Sequence, residues 1–336
     1  MALGRERGPV SVARRLAARF ALGLLTLWLT SVIVFSLVQL APGDPSGEDE
    51  EEFGRGHVSA SQRAELRALY HLDQPAHTRY LLWLGDVARG ELGRSFRDRR
   101  PVLEKISERL GVTLGLNALS LALMLAVAVP LGTLAAWRPG SWSDRAAATG
   151  AYALYALPAF VAGLLLQLLF AVRLEWLPLA GLASPDARSL PAAARLADRL
   201  AHLVLPVICL AYGGIAYLSR FVRATLLEDA AAEAGRAARA RGLSSFAVVW
   251  RHGFRRAAIP LLTLAGFLLP ALVGGSVIVE SVFNVPGLGR LFVEAVGGRD
   301  LPVLMGLVLL TACATVGGVL AADLAYAWAD PRVRRA

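Results

Sequence analysis

The sequence predicts an all-α integral membrane protein with six transmembrane helices and both termini cytoplasmic. Three observations carry this reading: six long stretches free of charged residues, the absence of alternating strand patterns, and the placement of the basic residues. Of 336 residues, 56% are hydrophobic and mean hydropathy is +0.52, whereas soluble domains run at roughly 45–50% apolar. The excess sits in residues 20–41, 112–137, 146–172, 203–219, 257–279 and 301–322. A helix needs roughly 20 apolar residues to span hydrocarbon, within about 17–25; the fourth stretch is the shortest. Helices are required because the bilayer core offers no water to backbone N–H and C=O groups. Core helices of a soluble protein rarely run this far without a charge.

The order of elements follows. Residues 1–19 form a cytoplasmic lead carrying Arg14, Arg15 and Arg19. The stretch 20–41 is read as an uncleaved anchor, because it is too long for a signal-peptide core and no A-x-A-like site follows. Residues 42–111 lie outside and open on Pro42-Gly43-Asp44-Pro45, which ends the first helix. The acidic run 48–52 reads as a solvated loop, with docking to a basic partner as the alternative. Two short amphipathic helices are expected at 61–70 and 77–89. The stretches 112–137 and 146–172 are joined by the cytoplasmic segment 138–145. Residues 173–202 form an external loop before 203–219, and 220–256 return inside before 257–279. A second external loop, 280–300, precedes 301–322 and a cytoplasmic tail, 323–336; the core domain is 112–322.

Charge sets the orientation. The segments on the side of the termini hold 18 of the 35 basic residues, and the opposite short loops hold 6. The other 11 lie in 42–111, a long segment that translocates largely regardless of charge. The formal net charge of +9 is therefore a topology signal, and no nucleic-acid partner is expected. Lys105 is the only lysine.

The composition excludes several chemistries. Cys209 and Cys313 both fall within apolar stretches and read as small apolar fillers. His57, His71 and His77 share the outer segment without H-E-x-x-H spacing, so no catalytic or metal site is expected. The spans lack the carboxylates and histidines of a proton-coupled secondary transporter. Glu280 and His202 fall at outer span ends and are read as solvated, and Asp323 lies near the inner end of the last span. Pro130, Pro158, Pro206, Gly213-Gly214, Pro270 and Gly274-Gly275 interrupt the spans, where close helix packing is the expected role. No G-x-x-x-x-G-K-[ST] loop occurs, so the chain does not bind ATP in that manner by itself.

The inner segment 220–256 is the informative one. From Asp229 to Arg241 it reads DAAAEAGRAARAR, followed by Gly242 and Ser244-Ser245. Alanine is the best helix former, and Gly242 is a natural C-terminal stop. Ser244 or Ser245 can cap a following helix through residues 246–250. The alanine-rich helix has a thin face suited to a partner's groove, and a solvated linker is the alternative.

Arg236-Ala237-Ala238-Arg239-Ala240-Arg241-Gly242, eighteen residues before Pro260, resembles the EAA loop of ABC importer permeases, in the dipeptide/oligopeptide/nickel variant. Pro42-Gly43-Asp44-Pro45, Phe283-Asn284-Val285-Pro286-Gly287-Leu288-Gly289, and Asp323-Leu324-Ala325-Tyr326 with Asp330-Pro331-Arg332-Val333-Arg334 agree in order. The resemblance covers essentially the whole chain and is specifically to the B-type, first permease subunit, which carries a long external segment after its first span.

The resemblance implies a type I ABC importer permease fold in the inner (cytoplasmic) membrane, multi-pass. It implies a heterodimer with a second permease subunit, two cytoplasmic ABC ATPase subunits and an external solute-binding protein. This chain would bind no cofactor; ATP and Mg would be used by the partner ATPases. Glu233, Arg236, Ala237, Ala238, Arg239, Arg241 and Gly242 would form the coupling helix, with Ala237 and Ala238 permitting close approach of the ATPase. Peptides are the expected cargo, with nickel chelates, glutathione or sugars as alternatives within the family. A secondary transporter or an integral-membrane enzyme is the alternative outside it.

Overall fold

The computed structural model describes residues 12–40, 73–231, 233–244, 247–248, 273 and 276–329. The PGDP turn, the acidic run, the helix expected at 61–70, most of the stretch 257–279 and the tail from 330 lie outside them. The described residues are mostly helical, with one isolated bridge between Arg94 and Pro101 and no strand among them. The helices are α1 Val12–Leu40, α2 Ala76–Ala88, α3 Val102–Trp137, α4 Trp142–Ala156, α5 Ala159–Leu166, α6 Ala192–Ala231, α7 Glu233–Ala240, α8 Val277–Val282, α9 Leu288–Gly297 and α10 Leu301–Ala329. Four contain segments long and apolar enough to cross a membrane: Ala17–Leu37, Val102–Trp137, Ala192–Glu228 and Leu301–Ala321. A fifth is present if α4 and α5, with its extension to Arg173, count as one span bent by 101°. Large apolar side chains such as Leu24, Trp28, Leu164 and Leu168 stand exposed on these helices, the arrangement hydrocarbon tolerates and water penalises.

The boundaries differ from the hydropathy reading for identifiable reasons. Helix α3 starts ten residues before 112, immediately after Pro101 and with Glu104 in its first turn, where a carboxylate favours the positive end of the helix dipole. Helix α6 extends past 203–219 at both ends, because charged residues leave hydrocarbon without ending a helix. The stretch 146–172, read as one span interrupted at Pro158, is broken there. Leu157 is extended (φ −84°, ψ 122°), as a residue before proline prefers, and Pro158 donates no N–H. The Tyr212 hydroxyl donates to the Leu157 carbonyl at 2.5 Å, supplying a partner at the break. At the end of the fifth stretch Ser276 caps α8, its Oγ accepting from the Val279 N–H at 3.3 Å. Loop 280–300 contains the amphipathic helix α9, which sequence reading did not foresee.

The described residues divide into two compact units. In the first, comprising residues up to Arg109 and Leu291–Leu320, α2 lies against α1. Phe35 meets Tyr80 edge-on at 5.3 Å and Trp83 at 6.0 Å, and the Ser31 and Tyr80 hydroxyls are 2.8 Å apart. Such aromatic pairs add about 0.5–1.5 kcal/mol beyond area burial, so they fix α2 to α1.

The second unit, Leu110–Arg290 with Ala321–Arg334, carries two apolar clusters. One joins Met124, Ala128 and Ala136 of α3 to Leu218, Val222 and Leu226 of α6, and takes in Ala238 and Val248. The other gathers Leu116, Ala162, Leu205, Cys209, Val279, Phe283 and Val285. Gln167 closes the second cluster: its amide donates to the Leu179 and Val282 carbonyls at 2.9 and 3.1 Å.

Candidate functional site

The alanine-rich segment forms a short helix. Helix α7 stops where glycine was expected to stop it: Gly242 has φ +85°, and the Leu243 N–H donates to the Ala238 carbonyl at 3.2 Å. A left-handed glycine with this bond is a Schellman cap, a conformation that costs other residues steric energy. Ser244 is the serine that caps the next turn, accepting from the Ala247 N–H at 3.3 Å.

The helix has two distinct faces. Arg236, Ala237, Ala240 and Arg241 are exposed, whereas Ala238 is completely buried beside the residues of the α3–α6 cluster. Helical geometry at 100° per residue puts 236, 237, 240 and 241 on one side and 238 on the other. Ala238 therefore does not offer a partner a close approach, contrary to expectation; its small side chain lets α7 sit on the chain's own core. Glu233 and Arg239 also lie in α7.

The helices leading to α7 are cross-tied. The Asp144 carboxylate, 4% exposed, receives a bidentate pair of bonds from Arg223 Nε and Nη2 at 2.6 and 2.7 Å. Its Oδ2 also accepts from the Gly140 N–H at 2.8 Å, and Ser141 caps α4 through the Asp144 N–H at 3.3 Å. One turn back on α6, Arg220 lies 3.9 Å over the Tyr152 ring and donates to its hydroxyl at 2.6 Å.

A second constellation surrounds Glu280. Sequence reading placed this carboxylate in solvent, yet it is fully buried. Its Oε1 accepts from the Thr113 hydroxyl at 3.1 Å and its Oε2 from the Arg290 N–H at 3.0 Å, while Thr113 Oγ1 accepts from the Leu288 N–H at 2.8 Å. The N–H groups at the start of α9 thus find acceptors in residues 10 and 175 positions away in sequence, satisfying donors that a helix start leaves open. His202, also expected to be solvated, is buried; its ring Nδ1 lies 2.7 Å from the Asp198 carbonyl oxygen one turn earlier.

Residues 128–335 match the family described as "Binding-protein-dependent transport system inner membrane component". Three relatives extend the match over the chain. A probable peptide ABC transporter permease protein of Sinorhizobium fredii is 36% identical over 325 residues, covering 97% of this chain and 99% of the relative. The oligopeptide transport system permease protein AppB of Bacillus subtilis is 36% identical over 304 residues, covering 90% and 93%. A protein of Brucella ovis named as a peptide permease is 38% identical over 321 residues, covering 94% and 97%.

The chain belongs to this family. The permease is a membrane-embedded component of a binding-protein-dependent transport system, and its chemistry is transport, not catalysis. Against that identity, the structure places the exposed Arg236 and Ala237 on one short helix and the exposed Arg241 and Gly242 in the turn that ends it, and turns Ala238 inward. Asp323 lies in α10, and its side chain is not among those described. Among the described residues no group of His, Cys, Asp and Glu could hold a metal ion.

Sequence reading missed the polar anchor of the permease's first unit. Asp300, nearly fully buried, accepts from the Ser95 hydroxyl and from the Phe96 N–H at 3.0 Å, pinning the loop before α3. Arg109 reaches Glu294 at 3.5 Å, and Lys105 pairs with Asp98 at 2.9 Å. Charges this dense in a sequence look like a solvated segment, and their partners lie up to 205 residues away. Burial pushes the Asp98 carboxyl up, but hydrogen bonds from Lys105, Ser95 and the Arg100 N–H outweigh it and hold the carboxyl below its usual range. A lowered folded value contributes stability above the ordinary carboxylate range and loses it as pH falls through that range. The side chain is 40% exposed, so the contribution is about a few tenths of a kcal/mol after screening. The Asp98→Asn variant is expected to lose less melting temperature than the parent between about pH 6 and pH 3; an identical slope would dismiss the pair as a contributor.

Proposed function

We propose that the permease is the first, B-type subunit of an ATP-driven peptide importer in the inner (cytoplasmic) membrane. The supporting observation is near-full-length similarity, at 36–38% identity, to proteins named as peptide or oligopeptide permeases. In this reading the chain crosses the membrane six times with both ends in the cytoplasm, residues 257–279 supplying the crossing that lies largely outside the described residues. It pairs with a sister permease, receives cargo from an external solute-binding protein and docks two cytoplasmic ATPases, which consume ATP and Mg.

Helix α7 is the proposed coupling helix. A capped helix with an exposed Arg236, Ala237, Ala240 and Arg241 face and a buried Ala238 is seated on its own protein and free on the other side. That geometry suits a groove contact, because a rigid helix passes on displacement that a flexible loop would dissipate. Closure of the ATPases on ATP would draw this helix inward and switch the pathway between inward-open and outward-open.

The test separates docking from folding. Ala237→Glu with Ala240→Glu changes only exposed positions, so membrane accumulation is expected to stay at the parent level while co-purification of the ATPase subunits is lost. Normal assembly and transport in this variant would sink the coupling assignment. Uptake of labelled di- and oligopeptides in proteoliposomes carrying the binding protein tests the cargo; uptake confined to glutathione or a sugar would replace peptide with that class.

A further inference from the structure

We infer that the Asp144–Arg223 pair, with Arg220 seated on Tyr152, is the joint through which movement of α7 reaches the transmembrane helices. The inference rests on the reading of α7 as the coupling helix, and its observations are independent of that reading. Helix α7 follows α6 after a single residue. Helix α7 also packs through Ala238 on the α3–α6 cluster, so a displacement of α7 enters α6, and the ties between α6 and its neighbours decide how much of it reaches the bundle.

Two polar ties join α6 to α4. Arg220 and Arg223, three positions apart, share a face of α6, since such a spacing brings side chains together on a helix. Asp144 and Tyr152 receive them on α4, the helix that enters the bent pair. The Asp144 tie is stiff in both directions: the guanidinium is held by two bonds at 2.6 and 2.7 Å, and the carboxylate is held by the Gly140 N–H at 2.8 Å. Bidentate arginine–carboxylate pairs fix angle as well as distance, which a single lysine contact cannot do. Helices α4 and α6 should thus move together when α7 is displaced. Asp144 and Arg223 are positioning residues: neither is on the exposed face of α7.

A packing role and a force-transmitting role make different demands, and the ratio of substrate moved to ATP hydrolysed separates them. The assembled transporter, with binding protein, is reconstituted with Asp144→Asn, which keeps the side chain's shape and removes its charge, and separately with Arg223→Lys, which keeps the charge and removes the fork. The expected result is parent-level co-purification of ATPase subunits, retained ATP hydrolysis, and at least about a fivefold fall in substrate moved per ATP, at the lower end of typical coupling effects. The charge-reversed pair Asp144→Arg with Arg223→Asp is expected to recover part of the loss. An unchanged ratio in either assembled single variant overturns the inference. So does loss of assembly in both, because the pair would then act only in folding. Failure of the coupling-helix reading gives another signature: the parent chain would not retain ATPase, or retention would survive Ala237→Glu with Ala240→Glu.

Discussion

Replacing Glu280 with alanine is expected to destabilise the protein by about 2–5 kcal/mol, because it leaves the buried Thr113 hydroxyl and Arg290 N–H without their acceptor, at about 1–3 kcal/mol for each orphaned group. A Cβ at Gly287 would stand against Glu280 and within 2.6 Å of Thr113 Oγ1, so the native backbone packs closely on the carboxylate. Glu280→Gln keeps one carbonyl acceptor and the volume, so a smaller loss is expected. The measurement is the thermal transition of the detergent-solubilised protein, followed by intrinsic tryptophan fluorescence. A Glu280→Ala transition within a degree or two of the parent would mean that the network carries no weight.

The second large effect is steric. Gly132 sits where α3 and α6 come into backbone contact: a side chain there would strike the Ser219 carbonyl oxygen and stand 2.8 Å from Val222 Cβ. A carbonyl in a helix cannot retreat as a flexible side chain can. Small residues allow this kind of approach between membrane helices. Overpacking costs about 1–3 kcal/mol and occasionally more; Gly132→Val is expected at or beyond the upper end, with much reduced accumulation in membranes. Gly115 is the control in the same helix. A Cβ there meets nothing within 4 Å, so Gly115→Ala should change accumulation little. Equal behaviour of the two variants would refute the close crossing as the cause.

These two sites show why part of the molecule was readable before its structure and part was not. Hydrocarbon imposes one strong demand, that backbone polar groups be satisfied within uncharged helices of sufficient length. Four of the six stretches accordingly carry helices long and apolar enough to cross, and the end of α7 falls at the glycine that predicted it. The break at Leu157-Pro158 was foreseeable in kind from the proline, but its 101° angle depends on what packs beside it. The full lengths of α3 and α6 were not legible, since hydropathy measures the membrane and not the helix.

The sequence by itself determined that the chain is a multi-span helical membrane protein and, through its ordered motifs, which family it belongs to. Only tertiary structure decided the fates of individual polar residues. Glu280 and Thr113 are 167 positions apart, Asp144 and Arg223 are 79, and Ser95 and Asp300 are 205. A lone charge near a span end has the same local signature whether it faces water or a buried partner. Ala238 makes the same point on a smaller scale. Its helix was evident from composition, but which side of that helix faces the protein depends on α3 and α6. Composition and periodicity report the average environment of a segment; hydrogen bonding and close packing are pairwise, and the pairs form only when distant segments meet.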